Sequence, residues 1–302
     1  MRVGAMSTSA RLVIDGQTCA GELGEYPVTN PVRPGEVVLQ APSASLAQLD
    51  AAVAAAGRAQ GEWGRLSFDE RADHVLRAAS AAGAAVESQD LARLLTQEHG
   101  KVLWESQFDT GTLAGMASAF AALAAEPLAD RTVGGSTIVQ HLPHGVVGAI
   151  IPVNWPVSVF GNKMFPALLA GNAVVAKAPP TCPGSLLAVG AALAAELPPG
   201  LVNIVSGPDH QLGEALVDHP GVGMVSFTGG VDGGRSVMAH AAHATKPVVL
   251  ELGGNDPAIV LSDVEIDDDF ADRLVSAAFT TSGQVCMAVK RVANSCHTSD
   301  PY

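Results

Sequence analysis

The chain has 302 residues, 48% of them apolar and 16% charged, which is enough for one large or two ordinary domains with a sizeable core and excludes general disorder. Its 30 acidic against 17 basic residues give a net charge of −13, and that balance disfavours nucleic acid or an anionic membrane as a partner, since both would repel it. The four cysteines, Cys19, Cys182, Cys286 and Cys296, fit neither a zinc spacing nor a disulfide framework; they read as free thiols of a reducing cytoplasm, each by default a small buried apolar residue. The most apolar stretches are short or broken by Gly, Asn and Pro, so no membrane span is expected. Residues 1–15 lack the apolar core of a signal peptide, and Met6 is an alternative start.

Residues 45–125 read as helical. Leu46, Leu49, Val53 and Ala56 recur at helical spacing, and Ser67-Phe68-Asp69-Glu70 has the form of a capping box ahead of Ala72, Val75, Leu76 and Ala79. Gly100 closes a further helix, with His99 and Lys101 near its end. Residues 127–144 favour strand, with a turn at Gly134-Gly135. From Gly145 the pattern becomes α/β. Strands are expected at 146–151, 173–176, 202–205, 224–227 and 247–250, and helices at 157–169, 185–197, 211–217 and 234–243. This alternation argues a doubly wound, Rossmann-like parallel sheet whose strand ends and following loops share one ligand-binding edge. Another strand is expected at 257–261 and another helix at 267–280, where Asp267-Asp268-Asp269 suits a helix N-terminus better than a metal.

Several residues are placed for chemistry. Cys286 follows the small turn Thr281-Ser282-Gly283-Gln284-Val285 and is a candidate thiolate nucleophile. Asn154, in Pro152-Val153-Asn154-Trp155-Pro156, is either an amide donor for an oxyanion or a plain turn asparagine between prolines. Glu251, at a strand end before Gly253-Gly254, is either a surface glutamate or a partly desolvated general base. The GxGxxG fingerprint is absent. In its place Phe227-Thr228-Gly229-Gly230-Val231-Asp232-Gly233-Gly234 joins a strand to a helix, as a tight turn or as a site of backbone approach to a pyrophosphate. Lys177 ends a strand, where a lysine is either solvated or bonded to a ribose or 2′-phosphate.

Taken together and in order, Pro152-Val153-Asn154-Trp155-Pro156, Phe165-Pro166-Ala167-Leu168-Leu169-Ala170-Gly171-Asn172, Lys177, Val225-Ser226-Phe227-Thr228-Gly229, Leu250-Glu251-Leu252-Gly253-Gly254-Asn255-Asp256-Pro257 and Gly283-Gln284-Val285-Cys286 resemble the aldehyde dehydrogenase superfamily over residues 10–292. The resemblance implies a dinucleotide-binding domain from residues 1–126 and 144–253, an oligomerisation hairpin at 127–143, and the first part of a catalytic domain at 254–302. It implies oxidation of an aldehyde with NAD or NADP through a thiohemiacetal and thioester on Cys286. Water would be activated by Glu251, and the oxyanion held by Asn154 and the Cys286 N–H. It also implies cofactor contacts at Pro152, Val153, Lys177, Phe227, Thr228, Gly229, Gly230, Gly234, Leu252 and Gly253, no metal, and a homo-oligomer.

Three departures from the family pattern stand out. Pro180 stands where an acid often contacts the ribose, so NAD is not favoured over NADP; Gly230 and Val231 replace a Ser-Thr pair; and Thr281 replaces an Asn, with a modest local effect expected. After Lys290-Arg291-Val292 the chain turns polar and unpatterned. A C-terminal truncation or frameshift near residue 292 is therefore expected, removing most of the catalytic domain. Two other readings remain at this stage: an inactive dinucleotide-binding remnant, and an acylating enzyme that passes the thioester to coenzyme A, against which Glu251 argues.

Overall fold

A computed structural model describes residues 10–294. Cys296, Met6 and most of the polar tail, on which expectations were placed, lie outside the described residues. The chain divides into two compact units, Met1–Leu250 and Glu251–Tyr302.

The first unit opens with strands β1 (Leu12–Ile14), β2 (Gln17–Cys19), β3 (Glu25–Thr29) and β4 (Val37–Pro42). Helices α1 (Leu46–Trp63), α2 (Phe68–Ser88), α3 (Leu91–His99), α4 (Leu103–Gly111) and α5 (Leu113–Leu128) follow. The capping box at Ser67 forms as its sequence predicts. Ser67 Oγ accepts from the Glu70 amide at 3.3 Å, and the Glu70 carboxylate accepts from the Ser67 amide at 2.8 Å. Ala72, Val75 and Ala79 then face inward, while Leu76 stays partly exposed. The strands β5 (Arg131–Val133) and β6 (Thr137–Val139) pair as a hairpin whose turn uses Gly134 and Gly135 at φ +62° and +79°, a region that glycine enters without strain.

The α/β part runs β7 (Val146–Ile150), α6 (Pro156–Leu169), β8 (Ala173–Lys177), α7 (Gly184–Glu196), β9 (Val202–Val205), α8 (Gln211–Asp218), β10 (Met224–Gly229), α9 (Val231–His243) and β11 (Val248–Leu252). The sheet order is β11-β10-β7-β8-β9-β1-β2. β10, β7, β8 and β9 are mutually parallel, and β8 and β9 are buried throughout, which accounts for their unbroken apolar sequences. β1 adds an antiparallel edge through Val13 opposite Ile204, which the sequence reading did not foresee. The motif Ala170-Gly171-Asn172 acquires a physical reason here. Gly171 takes φ +85° to reverse the chain after α6. Asn172 then donates to Ala167 O and accepts from the Gly145 amide, tying the end of α6 to the start of β7.

The second unit holds β12 (Asp256–Val260), α10 (Asp268–Phe279), a 3-10 turn (Thr280–Gly283) and β13 (Val289–Asn294). β12 and β13 pair in parallel, and β13 continues through Ala293 and Asn294, past the point where the polar tail was expected to begin. Asp267 caps α10 by accepting from the Phe270 amide at 2.8 Å, so the acidic run opens a helix. Among the described residues of this unit only Val260, Thr281 and Ala288 are buried, and no residue of α10 is.

Candidate active site

In the first unit the registers align Ile150 of β7 with Lys177 of β8 and Phe227 of β10, and Lys177 with Val205 of β9. The loops after these parallel strands therefore leave from one edge. The chain winds β7, β8, β9 in one direction and then crosses to β10 on the other side of β7. The β7–β10 junction is thus the point where strand order reverses, the position at which open α/β sheets bind ligands. Pro152, Val153 and Asn154 follow β7 there, and Gly230 follows β10. Lys177, Phe227, Thr228 and Gly229 close their strands, and Gly234 lies buried in the first turn of α9.

The glycines after β10 divide into two kinds. A Cβ on Gly229 or Gly233 would meet the Phe227 ring at 2.6 or 3.0 Å, so a side chain at either would have to displace that ring. A Cβ on Gly230 would meet nothing within 4 Å; this N-cap position of α9 is the open one. Lys177 is 5% exposed, which removes the solvated-lysine alternative. Burial lowers its ammonium to about 8, with Asp209 pulling the other way.

The loop carrying Asn154 is held by residues distant in sequence. Lys101 Nζ donates to Asn154 O at 2.8 Å, and Cys182 Sγ donates to Val153 O at 3.2 Å. Asn154 Oδ1 accepts from the Trp155 amide at 3.0 Å. Lys101 and Cys182 were not singled out as site residues. Their signal is faint, because a lysine after a helix-closing glycine and a lone cysteine look ordinary until the fold brings them to this loop.

In the second unit the Gly254 amide donates to Cys286 O at 3.2 Å, joining the Glu251-containing segment to the cysteine turn. A Cβ on Gly254 would press on Asp256 Oδ2 and lie 3.1 Å from that carbonyl, so a side chain there would have to displace the Asp256 carboxylate. Lys290 Nζ donates to the carbonyls of Val285, Cys286 and Ala288 at 3.0–3.1 Å, drawing the turn around one ammonium. The Cys286 side chain is exposed. Glu251 is exposed as well, which corrects the expectation of a partly desolvated carboxylate: it sits on the outward face of a strand end with nothing packed over it. Leu252 is half-buried and Gly253 exposed.

The Thr281 departure, of which a modest local effect is expected, falls on left-handed backbone. Thr281 is buried at φ 55°, ψ 42°, followed by Ser282 at φ 55° and Gly283 at φ 73°. Asn enters this left-handed region readily, whereas a β-branched side chain is strained there by about 1–2 kcal/mol. Thr281→Asn is expected to stabilise the chain by about 1 kcal/mol in urea unfolding; an unchanged or lower stability would show that the buried threonine makes compensating contacts.

The family model described as "Aldehyde dehydrogenase family" matches residues 19–299. The 3,6-anhydro-alpha-L-galactose dehydrogenase of Streptomyces coelicolor is 41% identical over 273 residues, 87% of this chain and 54% of that protein. The 3-sulfolactaldehyde dehydrogenase of Pseudomonas putida is 36% identical over 290 residues, 92% of this chain and 58% of that protein. Among solved structures, the NAD-dependent aldehyde dehydrogenase of Sinorhizobium meliloti superposes with a TM-score of 0.89 at 31% identity, covering 96% of this chain and 58% of that one. The chain therefore spans less than two thirds of the length of each of these proteins.

Proposed function

The chain belongs to the aldehyde dehydrogenase family, whose cofactor is NAD or NADP, and on that premise we propose that it oxidises a small-molecule aldehyde to a carboxylic acid. The observation that carries the reading is the cysteine turn, in which an exposed thiol is fixed against the Glu251 segment through the Gly254 amide. The Cys286 thiolate adds to the aldehyde carbon, forming the C–S bond and moving the carbonyl electrons onto oxygen. The Asn154 side-chain amide and the Cys286 N–H are assigned as donors to that oxyanion. When bound, NAD(P)⁺ supplies the hydride acceptor, and loss of hydride from the carbon on sulfur leaves a thioester. Glu251 takes a proton from water, the water oxygen adds to the thioester, the C–S bond breaks, and the acid leaves. Transfer to a thiol acceptor such as coenzyme A is disfavoured because a carboxylate stands ready for hydrolysis.

The residues fit the cofactor. Pro152, Val153, Lys177, Phe227, Thr228, Gly229, Gly230 and Gly234 line the edge where strand order reverses, Gly230 leaves backbone open at the start of α9, and Lys177 offers an ammonium at a strand end. Leu252 and Gly253, in the second unit, are assigned to the same cofactor by the resemblance. Pro180 supplies no carboxylate against a 2′-phosphate, so the assignment stays with NAD or NADP.

A second reading, a chain that binds the dinucleotide without turnover, is favoured by the sparse burial in the second unit. One experiment separates the two. Purified chain is incubated with NAD⁺ or NADP⁺ and a panel of aldehydes while nicotinamide reduction is followed. Aldehyde-dependent reduction supports the oxidoreductase; binding of the dinucleotide by calorimetry with no reduction supports the second reading.

A further inference from the structure

Lys101 and Asp109 form an ion pair at 2.9 Å in which both side chains are 0% exposed. Two opposite charges lose their water at such a place, and a well-packed apolar pair is often as stable. The pair therefore calls for a reason beyond stability. Its remaining hydrogen bonds converge on one segment. The same Lys101 Nζ donates to Asn154 O at 2.8 Å and lies 4.3 Å from the centroid of the Trp155 ring. Asp109 uses its other oxygen, Oδ1, to accept from the Ser158 amide at 2.7 Å. Ser158 lies in the first turn of α6, where backbone amides have no partner within the helix, and the N-cap residue Trp155 makes no side-chain cap. Phe108, one residue before Asp109, meets the Trp155 ring edge-on at 5.6 Å. A single buried pair thus fixes the carbonyl of Asn154, the ring of Trp155 and the first turn of α6.

We propose that Lys101 and Asp109 are positioning residues that hold the Asn154–Trp155 turn, and with it the Asn154 amide, in the orientation that receives the oxyanion. This rests on the role assigned to Asn154 above. The lysine bonds the main chain of Asn154, so the side chain keeps its own geometry, with Oδ1 accepting from the Trp155 amide at 3.0 Å. Loss of the pair would free the turn while leaving strand β7, whose bonds run to β8 and β10, in place.

Removing one charge alone would strand the other in the core and risks unfolding. The test therefore uses the double variant Lys101→Met/Asp109→Leu, in which neither charge is left alone and the Ser158 amide loses its acceptor. Hydrogen exchange is the readout that needs no turnover. Exchange at the Trp155 and Ser158 amides is expected to rise by about tenfold or more, with the amides of residues 146–150 unchanged. Exchange at Trp155 and Ser158 as in the parent chain would overturn the proposal. So would loss of protection across residues 146–150 as well, which would make the pair a general core element.

In turnover, the double variant is expected to lose about 100-fold in kcat, the scale of a small misplacement of a reacting group, with KM for the aldehyde within about threefold. Adding Asn154→Ala to it should cost nothing further, because both act through the same amide. Multiplying losses would overturn the positioning role. If Asn154→Ala alone leaves kcat intact, the oxyanion assignment falls, and the inference that the pair positions that amide falls with it; the exchange result then reports only whether the turn is clamped.

Discussion

Cys286→Ala is expected to reduce aldehyde-dependent nicotinamide reduction by about four orders of magnitude or to background, with dinucleotide affinity and thermal stability unchanged. The size of the effect follows from the chemistry. Without the sulfur there is no covalent adduct from which hydride leaves, and no alternative nucleophile in the turn can replace it: Ser282 is exposed but sits in a left-handed turn four residues away, and Thr281 is buried. The absence of a stability effect follows from exposure, since an exposed side chain trimmed to Ala normally changes folding by less than about 0.5 kcal/mol. The turn itself is held by main-chain atoms, the Gly254 amide and the Lys290 ammonium both meeting carbonyls, so trimming the thiol leaves it standing. Turnover above about 1% of the parent rate in the variant would remove Cys286 from the nucleophile role, whatever the fate of the family assignment. A fall in turnover accompanied by a fall in melting temperature would point instead to collapse of the turn.

What could be read from the sequence follows the range over which each signal acts. The capping box at Ser67 is local, and it formed as written. The buried strands β7, β8 and β9 announce themselves as apolar runs because both faces of the sheet are covered. Lys177 was harder. By itself a lysine reads as solvated, yet it lies on β8 between β7 and β9, where no water reaches most of its length. The Gly-rich segment after β10 looked uniform in sequence, but Phe227 folds back on Gly229 and Gly233 and leaves only Gly230 facing open space. β1 escaped notice because three residues carry little periodic signal, and its partner β9 is far along the chain. The Lys101 and Asp109 pair escaped for the same reason: the bond from Lys101 to Asn154 spans 53 positions. The expected desolvation of Glu251 failed because a strand-end position does not by itself say which face is covered.

Glu98→Ala is expected to be the most destabilising single change outside the site, by about 3 kcal/mol near pH 5.5. Helices α6 and α7 follow neighbouring strands, and neither supplies its own cap: Trp155 and Pro183 make no side-chain bond at their N-termini. Acids from the N-terminal helices stand in for both, Asp109 of α4 for α6 and Glu98 of α3 for α7. Glu98 accepts from the Gly184 amide at 2.7 Å and from the Ser185 amide and hydroxyl at 3.1 Å each. The approach is so close that a Cβ on Gly184 would lie 2.8 Å from Glu98 Oε1. Alanine at position 98 leaves the Gly184 and Ser185 amides buried without an acceptor, while the Ser185 hydroxyl keeps Leu91 O at 3.4 Å, and the two stranded amides set the size of the loss. Its pH dependence has a definite sign. Burial pushes the Glu98 carboxyl up from 4.5 to about 7, against the pull of the bonds from Gly184 and Ser185. Between those values the folded chain holds a proton that the unfolded chain has released, so the parent loses stability as pH rises through that window. The alanine variant has no such group and no such slope. Its deficit relative to the parent should therefore narrow by about 2 kcal/mol between about pH 5.5 and about pH 8. Urea unfolding of both proteins at the two pH values reads this directly. A deficit that stays constant, or widens as pH rises, would mean that Glu98 is held ionised throughout by its three donors and the α7 N-terminus, and that burial does not govern its titration.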